Sequence, residues 1–157
     1  MIRATLLLAA AAILIPAAHA QTPQDPCTLL TPDQIKAVLN SPVEPGQPGV
    51  AKGSNECTWG DAHGADRVYI ALRPAADFRT MRSNIEKSGG HATPVTGLGD
   101  DAFFVSPDDS SSALYVLTKT HLLLLTVTLP DSTQQTSSQQ QTQAAEKALA
   151  TRILPKL

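Results

Sequence analysis

Ala113-Leu114-Tyr115-Val116-Leu117-Thr118-Lys119-Thr120-His121-Leu122-Leu123-Leu124-Leu125-Thr126-Val127-Thr128-Leu129 is the stretch whose reading decides the fold. Residues 113–118 read as one strand, rich in branched and aromatic side chains. Residues 122–129 read as a second strand, apolar on both faces and so central in its sheet. The turn around Thr120 is far too short for a crossover, which makes the two strands antiparallel neighbours. Working upstream, Ala102-Phe103-Phe104-Val105 is a short strand, joined to residues 113–118 through the turn Pro107-Asp108-Asp109-Ser110. Earlier still, residues 56–59 form a strand, Asp61-Ala62-His63-Gly64 a turn, and residues 67–72 another strand. In that last strand Val68 and Ile70 alternate with Tyr69 and Ala71, and Pro74 ends it.

Helices flank this meander. Leu30-Thr31-Pro32-Asp33-Gln34 carries a dense start signal: Thr31 caps, Pro32 takes the first helical position, Gln34 closes a capping box, and Leu30 staples onto Ile35. Ile35, Val38 and Leu39 then form a buried stripe that stops near Asn40. Residues 41–54 hold three Pro and three Gly and read as a loop. Asp77 is the expected cap of a second helix, with Phe78, Met81 and Ile85 on one face, Arg79, Arg82 and Glu86 on the other, and Gly89-Gly90 as its end. Pro130-Asp131-Ser132 opens the last helix, where Ser132 and Gln135 match a capping box. Residues 133–143 are almost all Gln, Ser and Thr, which predicts an exposed or frayed first half. Ala145, Ala148, Leu149 and Ile153 supply a narrow apolar stripe that Pro155 ends. The expected fold is α+β: an antiparallel β-sheet with helices packed mainly on one face.

The N-terminus belongs to none of this. Residues 1–20 hold Arg3, a run of Ala, Leu and Ile, and the ending Ala18-His19-Ala20, which is the pattern of a signal peptide cut after Ala20. The apolar run is short for a membrane span, and no cysteine follows the cut to carry a lipid. Residues 21–157 are then a single domain of about 137 residues, enough for one core, with residues 21–26 as a flexible arm. The chain has 157 residues, 42% of them hydrophobic and 17% charged. Its 12 Lys and Arg face 14 Asp and Glu, and without Arg3 the balance is 11 to 14, a net charge of −3 that disfavours a nucleic-acid partner. The expected location is periplasmic or secreted. Export leaves Cys27 and Cys57 as each other's only partner, and a disulfide between them closes a loop of about 30 residues, worth about 3 to 4 kcal/mol in the chain-entropy model.

Signals for chemistry are sparse. Gly97-Leu98-Gly99-Asp100-Asp101-Ala102 matches a dinucleotide fingerprint in letters only, because a strand rather than a helix follows it and two carboxylates would repel phosphates. His63, His91 and His121 lack the spacing that puts two imidazoles on one metal. Asp100-Asp101 and Asp108-Asp109 are adjacent pairs, and neighbours on a strand point to opposite faces. No serine nucleophile elbow is present. These readings call for no catalytic residue, no metal and no cofactor. Phe103 and Phe104 are consecutive on a strand, so one ring leaves the core or covers a second layer. That makes Phe103, Phe104, Asp100 and Asp101 a candidate contact surface.

Asp25-Pro26-Cys27-Thr28-Leu29-Leu30-Thr31, Cys57-Thr58-Trp59 and Gly97-Leu98-Gly99-Asp100-Asp101-Ala102-Phe103 together resemble a pattern of small exported bacterial proteins of unassigned function. Many of these are actinobacterial lipoproteins, and distant ones resemble extracellular sensor domains. The resemblance covers most of residues 25–103 and implies an α+β domain whose N-terminal helical segment is tied to the first strand by Cys27 and Cys57. It supplies no catalytic residue, and the lipoprotein members' cysteine at the cleavage site is absent here. The functional expectation is an exported, non-catalytic binding protein with a protein or small-molecule partner, of inhibitor or immunity type. Two alternatives stand beside it: a small hydrolase or metal-dependent enzyme built on His63, His91 or His121, and an envelope-associated structural factor using residues 133–143 as a contact face.

Overall fold

A computed structural model describes residues 24–51, 53–106, 111–129 and 135–157 of the chain. The leader, the turn at residues 107–110 and the helix start at residues 130–132 lie outside the described residues. Seven strands are present among those described: β1 (Gln47–Pro48), β2 (Glu56–Gly60), β3 (Asp66–Pro74), β4 (Ala92–Pro94), β5 (Asp101–Val105), β6 (Ala113–Leu117) and β7 (His121–Val127). They form one antiparallel sheet in the order β1-β2-β3-β7-β6-β5-β4. The helices are α1 (Pro32–Leu39), α2 (Asp77–Lys87) and α3 (Gln135–Ile153). The α+β class and the central place of β7 are as the sequence indicates.

The hairpin that opened the reading closes tightly. Thr118 N–H donates to the His121 carbonyl at 2.8 Å, and His121 N–H donates to Thr118 Oγ1 at 3.0 Å. β7 then reaches across to β3 over seven paired positions, from Val68 opposite Val127 to Pro74 opposite His121. This pairing joins a β1-β2-β3 unit to a β4-β5-β6-β7 meander. It also dictates the path of α2. The chain leaves β3 in the middle of the sheet and must resume at β4 on the far edge, so α2 crosses one face over the meander half.

Each face therefore has its own cover. On one, Trp59, Ile70, Phe104, Leu114, Val116, Leu123 and Leu125 are buried with Ile35 and Leu39 of α1 and Leu149 and Ile153 of α3. On the other, Phe103 and Leu122 pack with Phe78 of α2, with Met81 and Ile85 beside them. Two of the three described helices thus share a face. The α1 start follows its sequence signal in detail: Gln34 N–H donates to Thr31 Oγ1 and Thr31 N–H to Gln34 Oε1, with Pro32 at the first position and Asn40 left-handed at φ 52°.

Four expectations change. The residue 41–54 loop contains β1, and the connection after α2 contains β4, two edge strands of two or three residues, each ending in proline. Such short edges carry little strand signal, and proline leaves them a poor template for another strand. Asp77 does not cap α2: the cap position is Ala76, without a side-chain bond, and Asp77 sits in the first turn where its charge meets the helix dipole. On α3 the inward stripe is Ala145, Glu146, Leu149, Ala150 and Ile153, while Ala148 is exposed. Of the expected arm, Asp25 instead caps a 3₁₀ turn (Pro26–Thr28), its side chain accepting from Cys27 N–H.

The disulfide joins Cys27 in that turn to Cys57 on β2, with Cα atoms 5.2 Å apart. It ties the N-terminal segment to the sheet beside fully buried Trp59. Replacing both cysteines by alanine should lower the unfolding free energy by about 3 kcal/mol in urea titrations; a loss below about 1 kcal/mol would show that packing alone holds the segment. Gly99 enters β5 at φ +58°, and a Cβ there would run into the Leu117 carbonyl, whereas at Gly97 a Cβ meets nothing. Gly99→Ala should cost about 1 to 3 kcal/mol, and more than Gly97→Ala in the same assay; equal costs would remove the steric reading.

Candidate binding surface

Because α2 lies over Phe103 and Leu122, the part of its face beyond them carries no helix among the described residues. There β2, β3 and β7 present Thr58, Tyr69, Leu124 and Thr126, all half-buried. The register brings them together: Thr58 opposes Tyr69, Tyr69 opposes Thr126, and Leu124 lies between Ala71 on β3 and Tyr115 on β6. Tyr115 stacks on Phe103 with ring centroids 4.9 Å apart and planes 8° off parallel, and Phe103 meets Phe78 of α2 at 5.2 Å. An aromatic row thus runs from beneath α2 into the open part of the face.

Charge sits at its borders. Arg73 faces Glu56 at 3.7 Å, with both side chains partly exposed. Arg82 of α2 lies 5.5 Å over the Phe103 ring and reaches Asp101 at 3.9 Å and Glu86 at 3.3 Å. Burial raises the Tyr115 phenol above its ordinary value. Burial, and then the hydrogen bond with the Glu56 carboxylate, does the same for Tyr69. Both phenols are therefore neutral at any physiological pH and offer hydroxyls at the end of apolar rings, the combination that suits aromatic anchors in protein interfaces.

The residues singled out from sequence are distributed unevenly around this surface. Phe103 is 0% and Phe104 3% exposed, so neither ring is available to a partner. Of the two alternatives for the consecutive rings the second holds: Phe103 covers a second layer under α2, and Phe104 packs in the main core, with Lys147 of α3 5.5 Å above it. Asp100 and Asp101 remain exposed, and of the four only Asp101 borders the open face, through Arg82. The candidate surface is therefore not the Gly97–Phe104 edge but the half-buried row of Tyr69, Leu124 and Tyr115. Strand alternation could have found it, since Tyr69 and Tyr115 are the outward members of their strands. What sequence could not supply is the path of α2, which decides whether outward means covered or open.

No protein family, curated protein or solved structure matches the chain.

The fingerprint-like glycines form a turn: Gly97 and Gly99 both have positive φ, and β5 begins at Asp101. His63 is exposed in the β2–β3 turn, which Asp61 organises by accepting from His63 and Ala65 N–H at 2.9 and 3.1 Å. The Arg67 guanidinium bound to Asp61 holds that carboxyl below the usual range, with the Ala65 amide adding to the effect. His91 is exposed before β4, and His121 opens β7 with Nδ1 2.9 Å from Thr120 Oγ1. Among the described residues no group of three or more His, Cys, Asp or Glu could hold a metal ion, and no helix is long and apolar enough to cross a membrane. The disulfide itself points to a location outside the reducing cytoplasm.

Absorbance titration of the folded protein should show both phenols ionising above pH 10.0, the ordinary value. A phenol ionising at or below that value would mean its hydroxyl stands free in solvent.

Proposed function

We propose that the chain is exported by removal of residues 1–20 and acts in the periplasm or outside the cell as a binding protein without catalysis of its own. Its partner is another protein, in the manner of an inhibitor or immunity-type protein, and the open part of the β2-β3-β7-β6 face is where that partner sits. The observation that carries this reading is the row Phe103-Tyr115-Leu124, two stacked rings and then a leucine paired with the second, running out from under α2 toward Tyr69. A sheet face is flat, whereas small molecules are held in concave sites that bury most of their surface. Tyrosine is favoured at interface hot spots because it brings a large apolar area with few rotatable bonds and one hydroxyl. Border pairs of both signs, Arg73 with Glu56 and Arg82 with Asp101, suit a polar rim around such a centre. The resemblance to small exported proteins and the disulfide support the compartment. The alternative enzyme draws nothing from His63, His91 and His121, which sit on a turn, a loop and a strand start.

The test is capture of partners from periplasmic and secreted fractions on the immobilised exported protein, followed by affinity measurement. Tyr69→Ala and Leu124→Glu should each weaken binding at least about tenfold, the size of a hot-spot truncation, with unchanged circular dichroism. Arg152→Ala, on exposed α3 across the sheet, should leave affinity as it was. A partner insensitive to both face variants rejects this surface, and failure to recover any stoichiometric partner rejects the binding-protein reading.

A further inference from the structure

Glu146 is the one Asp, Glu, Lys, Arg or His that is buried among the described residues, at 0% exposure. It lies on the inward face of α3 between Ala145 and Leu149, which are also buried. Its Oε2 accepts from Ser112 Oγ at 2.7 Å, and its Oε1 accepts from Val127 N–H at 3.3 Å. Ser112 immediately precedes β6 and Val127 is the last residue of β7. This carboxyl is thus a polar tie between α3 and the two strands beneath it.

Among the described residues no cation pairs with it. Lys147, its neighbour on α3, turns to the Phe104 ring, and Arg152 is exposed. On β3, Arg67 is engaged by Asp61. His121 stands at the opposite end of β7 from Val127, and Asp33 and Lys36 of α1 are exposed. Asp108, Asp109 and Asp131 belong to segments outside the described residues. A carboxylate desolvated in this way, with one hydroxyl and one amide as partners, is costly when ionised. When neutral it keeps both partners, because a hydroxyl serves as acceptor as well as donor: Ser112 Oγ can accept a hydrogen bond from the protonated carboxyl while Val127 N–H still donates to Oε1.

We propose that Glu146 is a proton-operated latch: neutral, it lets α3 lie on β6 and β7, and ionised, it drives the first half of α3 off the sheet. The division within α3 follows from its anchors. Beyond Glu146, Leu149, Ala150 and Ile153 bury apolar area against the core, whereas residues 139–143 are Gln and Thr, of which only Thr142 is buried, and bring no large apolar side chain to it. The cost of ionisation is met most easily by releasing the part with the least buried apolar surface. Burial pushes the carboxyl up to about 7 from its ordinary 4.5, with the Ser112 and Val127 bonds offsetting part of the rise. A raised carboxyl is favoured protonated by the folded state, so its contribution is complete below about 4.5, declines through the window up to about 7, and is gone above it.

The test is hydrogen exchange on the exported protein, corrected for the intrinsic pH dependence of exchange and referenced to β3 amides, together with NMR titration of the Glu146 carboxyl. Protection of residues 139–146 should fall at least about tenfold from pH 5.5 to about pH 8.5, a range spanning the latch midpoint. Glu146→Gln, the neutral isostere, should keep that protection flat with pH. Ser112→Ala, which removes a bond that lowers the carboxyl's value, should move the midpoint to higher pH and serves as the test if the glutamine variant does not fold. The latch is overturned if α3 protection is independent of pH, if the carboxyl titrates near 4.5, if Glu146→Gln keeps the wild-type pH response, or if Ser112→Ala leaves the midpoint in place.

Discussion

The pairing of β3 with β7 is the constraint from which the rest of the molecule follows. Seven consecutive positions, Val68 opposite Val127 through Pro74 opposite His121, hold together two halves that each fold locally. The cost of closing the intervening chain is offset because both strands are apolar enough to be buried on both faces: Ile70, Leu122, Leu123 and Leu125 are all excluded from water. A one-residue slip of β7 would exchange Leu123 and Leu125 with Leu122 and Leu124. The first pair packs against α1 and α3, and the second faces α2 and the open surface.

Once that pair is formed, the covers of the sheet have little choice. α2 must cross from the centre to the far edge, which covers Phe103 and Leu122 on one face and leaves Tyr69, Leu124 and Thr126 without a described helix above them. α1 is kept on the opposite face by its capped start and by the Cys27–Cys57 bond just ahead of it. α3 returns to that same face and brings Glu146 onto the ends of β6 and β7. The open surface and the buried carboxyl thus lie on opposite faces of the same sheet, one carrying the Tyr69 and Tyr115 hydroxyls and the other a carboxyl sealed under α3.

Much of this was legible in the residues. Thr31, Pro32 and Gln34 announce α1 by short-range bonds that need no other part of the chain. The short 118–121 turn forces an antiparallel hairpin, and the apolar run at residues 122–125 marks a central strand. Edge strands β1 and β4 were not legible, because two or three residues have no period to detect and exist as strands only by pairing with β2 and β5. Glu146 falls at helical spacing with Leu149 and Ile153, so its inward position was encoded, yet composition treats a glutamate on a helix as a solvated group. Phe103 and Phe104 show a related limit: alternation assigns them to opposite faces, but not what lies over each face.

By itself the sequence determined the main helices and the five longer strands, their antiparallel order along the meander and the cysteine pair, since capping, alternation, tight turns and a single possible sulfur partner act over short distances or leave no alternative. Tertiary structure alone decided which outward face is covered, which rings are buried and that a glutamate is sealed beneath α3. These depend on where α2 and α3 cross the sheet, and that path is set by the β3–β7 register, a contact between residues 47 to 59 positions apart (Pro74–His121 to Val68–Val127).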